Sequence, residues 1–189
     1  RQMQYRPLLS AVGLCALTVW SASAHAQFAD KRNTATLYLQ AGVAERDARA
    51  LTIGSTIPMD WKTFWWGHPV TAHWDMSLSA WNSDRMEREG SRTIAVVGLV
   101  PTLRFHSKSQ YPWFVEAGLG GYVSSKLYES REKRFSTAFN FGTHIGVGYF
   151  TGMRRENEWS VRLEHLSNAS IKRPNPGENF VQLRYARHF

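Results

Sequence analysis

From about residue 33 onward the chain alternates apolar and polar residues with a period of two, in segments long enough to cross a bilayer as strands. Near 69–82, Val70, Ala72, Trp74, Met76, Leu78 and Ala80 share one face, and Thr71, His73, Asp75, Ser77 and Ser79 share the other. That period belongs to a strand with two unlike faces, not to a helix. The segment near 179–189 repeats it, with Val181, Leu183, Tyr185 and Phe189 against Gln182, Arg184, Ala186 and His188. Arg187 breaks the apolar face near the end, where a long side chain can snorkel to an interface. Eight such strands are expected, near 33–44, 49–59, 69–82, 93–106, 111–123, 135–150, 158–167 and 179–189. About ten tilted residues suffice for a strand to span the hydrocarbon layer.

The second face carries His, Asp, Glu, Asn and Arg, which suits the inside of a membrane barrel. A soluble barrel would bury the apolar face instead. Trp61, Phe64, Trp65 and Trp66 cluster at one strand junction, as an interfacial aromatic girdle does. Phe189 closes an alternating strand, similar to the terminal signature of outer-membrane proteins. An even number of strands closes the sheet and removes its edges. The expected fold is all-β, an eight-stranded antiparallel transmembrane β-barrel. Gly118, Gly120, Gly142, Gly146 and Gly148 fall on inward faces, leaving room for larger neighbours, so the lumen is expected to be packed and not a pore.

Ahead of the strands, Arg1 and Arg6 precede an apolar stretch from Leu8 to Trp20, and Ala24-His25-Ala26 gives a small-x-small pattern. These read as a signal peptide over 1–26, removed to leave one barrel domain over 27–189. The single cysteine, Cys15, falls in that leader. Neither a disulfide framework nor a thiolate nucleophile is then expected in the barrel. The formal net charge of +8 would suit nucleic acid, acidic polymers or an anionic membrane surface. Export argues against nucleic acid.

The chemistry concentrates at the end of the seventh strand. Trp159, Val161 and Leu163 define its apolar face, and the alternation carries forward to His165 and Ser167. Two polar residues thus point towards lipid, their Cα atoms roughly 7 Å apart on one face. With both termini in the periplasm, odd strands run outwards, so the pair is expected at the outer rim. A histidine beside a serine can take the hydroxyl proton and free the oxygen to attack an ester. A third group should fix the imidazole tautomer. Glu178, expected just before the eighth strand, is the best-placed carboxylate.

The run from His165-Leu166-Ser167-Asn168 through Asn175-Pro176-Gly177-Glu178-Asn179 resembles the lipid A 3-O-deacylase family, the PagL type. Its members share a His-x-Ser-Asn run, then an Asn-x-Gly loop and an acidic residue before the last strand. The resemblance implies an outer-membrane esterase that removes the acyl chain at the 3-position of lipid A in lipopolysaccharide. It also implies a Ser-His-Glu triad facing the outer leaflet, with Ser167 as nucleophile, His165 as general base and Glu178 as orienting acid. Asn168, Asn175 and backbone groups near Gly177 are candidates for oxyanion stabilisation. The register of the acid stays open: shifted by one residue, Asn179 takes its place and Glu164, on the inward face, becomes a competitor.

Mixed-charge loops occupy 83–92 and 124–134, and Lys172 and Arg173 adjoin the site. Such charge is commonly a solvated face. Its functional alternative is pairing with lipid A phosphates, with Lys172 and Arg173 favoured. His68, His73, His106 and His144 have no ligand-set spacing, so neither metal nor cofactor is expected. The rival readings are a non-enzymatic adhesion or structural barrel and a lipid A acyltransferase. The oligomeric state stays open, a homodimer included.

Overall fold

A computed structural model of the chain describes residues 31–45, 48–84, 90–108 and 111–189. The expected signal peptide lies outside the described residues, as do the charged positions 85–89.

Eight strands follow one another: β1 (Thr36–Ala44), β2 (Arg49–Trp65), β3 (His68–Asp84), β4 (Ser91–His106), β5 (Trp113–Ser124), β6 (Phe139–Thr151), β7 (Asn157–Ser167) and β8 (Glu178–His188). Each pairs antiparallel with its sequence neighbour, and β1 pairs with β8 to close the barrel. Connections after odd strands therefore emerge at one rim and those after even strands at the other.

The outer wall is apolar, with Leu39, Ile53, Leu78, Leu99, Leu119, Ile145, Leu163 and Leu183 all exposed. Such a continuous band on a closed barrel is stable against hydrocarbon and unstable against water. Inside, the lumen is filled in layers. At the rim bearing the 168–177 loop, Trp81, Phe180, Tyr128, Phe135 and Leu166 form a plug, with Trp81 and Phe180 ring centroids 4.8 Å apart. Midway, Arg104 meets Glu116 and Glu158 at 2.7 and 2.8 Å. Asp75 accepts from Arg162 and Arg184 at 2.7 and 2.8 Å. Towards the other rim Phe114, Phe150 and His188 pack together. Glycine makes this filling feasible. Tyr122 lies where a Cβ on Gly98 or Gly142 would sit, 2.6 and 2.2 Å from its nearest ring carbons.

Two boundaries differ most from expectation. β2 runs on through the aromatic cluster to Trp65, after a register shift between Pro58 and Lys62. The turn falls at Trp66 and Gly67, both at positive φ (50° and 77°), the geometry of a two-residue hairpin whose twist matches its strands. β6 starts at Phe139, not near 135, because Phe135 leaves the alternation to pack on Tyr128 in the plug, at 4.9 Å between centroids.

Candidate active site

The outward face of β7 reads Trp159, Val161, Leu163, His165 and Ser167, and the residues between them are buried. His165 and Ser167 thus face outwards at the end of an odd strand, as the alternation predicts. Leu166, fully buried between them, anchors this last turn of strand in the plug. The backbone that carries the pair is therefore held from inside by apolar packing. The Ser167 hydroxyl and the imidazole are not hydrogen-bonded to each other. In unliganded enzymes such contacts are often long and tighten once substrate is bound.

The imidazole is held by β8. His165 Nδ1 lies 2.7 Å from Asn179 Oδ1, and the two residues are partners in the β7–β8 register. Glu178 is not brought to the histidine. It belongs to β8 and pairs with Leu166, so the pleat turns both inwards. There Tyr128 donates to Glu178 Oε2 at 2.8 Å and Lys133 donates to Oε1 at 2.9 Å. Burial first, and the Glu178 carboxylate next, push the Tyr128 hydroxyl above the usual phenol range, so it remains a donor. Glu164 is also inward, accepting from Tyr122 and, at 2.7 Å, from Gln182. Among the described residues no carboxylate lies within ion-pairing distance of His165.

The 168–177 loop is locked from within. The Asn168 backbone N–H donates to Asn175 Oδ1 at 2.9 Å. Its side-chain nitrogen donates to the Lys172 carbonyl at 2.7 Å and to Ser136 Oγ at 2.9 Å. Asn168 is accordingly a latch between two loops, its donors already engaged. The side-chain nitrogen of Asn175 has no acceptor among the described residues and remains available. Gly177 adopts φ +64°, and a Cβ there would stand 2.8 Å from His165 Cε1. Only glycine both tolerates that conformation and leaves the ring its place. The Lys172 and Arg173 side chains are exposed on the same loop. Ser136, whose hydroxyl also donates to the Lys172 carbonyl at 2.9 Å, carries no mark in the sequence. A lone loop serine gives no periodic signal.

Below the pair, a groove of about 310 Å³ runs down the outer wall between Thr143, Ile145, Leu163, His165, Asn179 and Val181. A larger trough of about 780 Å³ lies on β1–β4, over Ile53, Met76, Val97 and Leu99, but no histidine or carboxylate lines it. The groove that touches the base is the better candidate for substrate.

Comparison with known proteins agrees with this fold. The family described as Lipid A 3-O-deacylase (PagL) matches residues 50–188. The chain is 32% identical over 131 residues to Lipid A deacylase PagL of Bordetella bronchiseptica, covering 66% of this chain and 70% of that protein. It is 28% identical over 152 residues to Lipid A deacylase PagL of Pseudomonas aeruginosa, covering 78% and 83%. A solved structure described as the outer membrane enzyme PagL superposes with a TM-score of 0.69 at 22% identity, over 82% of this chain and 99% of that one. The chain belongs to the lipid A 3-O-deacylase (PagL) family.

Proposed function

We propose that this lipid A deacylase, an ester hydrolase, cleaves the 3-linked acyl ester at the outer rim of its barrel with Ser167 as nucleophile and His165 as general base. The observation that supports this reading is a pair of polar residues ending an otherwise apolar, lipid-facing strand. A histidine and a serine there have no packing reason to be present. They stand at the depth where an acyl ester meets the headgroup.

Ser167 Oγ attacks the ester carbonyl carbon while its proton passes to His165 Nε2. The tetrahedral oxyanion is met by the Asn175 side-chain nitrogen and backbone groups near Gly177, donors set before the charge appears. Collapse expels the sugar 3-hydroxyl, which takes the proton from His165. Water, deprotonated by the same imidazole, then releases the acyl chain from Ser167 as a free fatty acid. Throughout, the chain rests along Ile145, Leu163 and Val181, which cost nothing to desolvate because they already face lipid. Lys172 and Arg173 stand above, where they can pair with lipid A phosphates.

The test is mass spectrometry of lipid A incubated with refolded barrel. Loss of one hydroxyacyl group from the 3-position, with free fatty acid as co-product, is expected from the native chain and not from Ser167→Ala. A newly acylated lipid would indicate transfer instead of hydrolysis. Unchanged lipid A with a folded barrel would sink the enzymatic reading.

A further inference from the structure

We infer that the third member of this site is an amide, Asn179, and that Glu178 serves one step behind it as a brace. The inference rests on the Ser167–His165 reading above and assigns what that pair leaves open.

Strand register decides which residue reaches the ring. His165 pairs with Asn179, and Leu166 with Glu178. Neighbouring residues on a strand point to opposite faces, so Glu178 cannot approach the imidazole without a one-residue slip of β8. A slip would also turn Phe180, Gln182 and Arg184 out of the lumen. All three are buried, and Arg184 is bound to Asp75 and Gln40 at 2.8 Å each. The acid is thus committed inwards by the whole strand.

The contact that remains is Asn179 Oδ1 to His165 Nδ1 at 2.7 Å. An amide oxygen only accepts, so Nδ1 carries the proton and Nε2 keeps its lone pair free to take one. Orientation and tautomer are supplied as a carboxylate would supply them. The charge that would stabilise an imidazolium is not.

Among the described residues nothing else replaces that charge. His165 faces Thr143 on β6, Asn179 on β8 and Gly177 from the loop, all uncharged. The adjacent acids are both turned away, Glu164 to Tyr122 and Gln182 and Glu178 to Tyr128 and Lys133. Lys133 is engaged with Glu178 and, at 3.7 Å, with Glu45. Glu178 Oε1 also accepts the Asn179 backbone N–H at 3.1 Å. The buried carboxylate therefore fixes the start of β8, and so the residue that orients the base. Asn179 is a positioning residue.

The experiment compares pH–rate profiles of kcat/KM on lipid A for the native chain, Asn179→Asp, Asn179→Leu and Glu178→Gln, with the gel heat-shift confirming a closed barrel. Asp is nearly isosteric with Asn, and a new carboxylate favours the protonated, non-basic imidazole. The acidic limb of Asn179→Asp should move to higher pH by about one unit or more, with activity on the plateau kept or raised. Asn179→Leu should lower kcat by about 10-fold or more, with a smaller change in KM because Asn179 also lines the groove. Glu178→Gln should leave the acidic limb where it is. An acidic limb that moves in Glu178→Gln and not in Asn179→Asp would overturn the inference, as would an Asn179→Leu barrel with native kcat. Full activity in Ser167→Ala would instead overturn the underlying Ser167–His165 reading, whatever the Asn179 variants do.

Discussion

Along β7 the inward side chains Glu158, Ser160, Arg162 and Glu164 are polar and buried, while the outward Trp159, Val161 and Leu163 are apolar and exposed. Glu164 is met by the neutral donors Tyr122 and Gln182, and the other two inward charges are met by opposite ones. Arg162 sits between Asp75 and Glu116 at 2.7 and 2.5 Å, and Glu158 between Arg104 and His188 at 2.8 and 2.9 Å. A charge that has left water must be met by another, or the fold bears its full desolvation cost. Among the described residues the outward His165 and Ser167 have no such network, and Asn179 is the polar partner of the ring. On this strand a polar residue serves the fold when it is surrounded by partners. It serves chemistry when it is left open.

Two substitutions three residues apart should separate these roles most sharply. His165→Ala should cost about 10²–10⁴-fold in deacylation and leave heat-modifiability and urea resistance unchanged, since the side chain supports no other group. Arg162→Met should do the reverse in origin: it leaves Glu116 and Asp75 under-compensated and should destabilise the barrel by about 3–5 kcal/mol. Urea titration of unfolding in detergent measures the second effect and fatty-acid release the first. A His165→Ala barrel that fails to fold, or an Arg162→Met barrel of native stability, would break the distinction between the faces.

A smaller effect is expected where the loop touches the base. Gly177→Ala must place a Cβ against His165 Cε1 at a φ of +64°. The ring can yield only by leaving Asn179, and misplacement of a reacting group by about 1 Å costs up to about 10²-fold. Activity should therefore fall about 10–100-fold with stability reduced by about 1 kcal/mol. Native activity in this variant would mean that the ring has another position from which it works.

Much of this was legible in the pattern of the residues, and what was missed has a specific physical cause. The period-two alternation locates all eight strands and sets His165 and Ser167 outside, because a lipid-facing wall makes each face chemically distinct. The inward orientation of Glu178 follows from one more step of the same rule. Val181, Leu183 and Tyr185 point out, so two residues back Asn179 points out and Glu178 in. The plug was not legible at all. Tyr128 and Phe135 come from a charged, non-periodic loop, and only the folded chain shows them over Trp81. The latch of Asn168 on Ser136 and Lys172 likewise joins two loops that no local pattern connects.

The smallest expected effect sharpens the comparison at the exposed extreme. Lys172 and Arg173 lie on the loop that carries Asn175 and Gly177, and their side chains reach solvent. The Lys172 backbone carbonyl is already used by Ser136 and Asn168, so truncating either side chain leaves the loop's own bonds intact. What is lost is a cation near the headgroup. Exposed ion pairs contribute about 0–1 kcal/mol, and a charge-assisted bond to phosphate lies at the upper end. Lys172→Ala or Arg173→Ala should therefore raise KM for lipid A by no more than about fivefold, with kcat unchanged. Because the interaction is screened by salt, native and variant KM should converge as ionic strength rises. Dephosphorylated lipid A should erase the difference even at low salt. A drop in kcat would instead place these cations at the reacting ester. A KM ratio insensitive to both salt and phosphate would remove them from substrate binding.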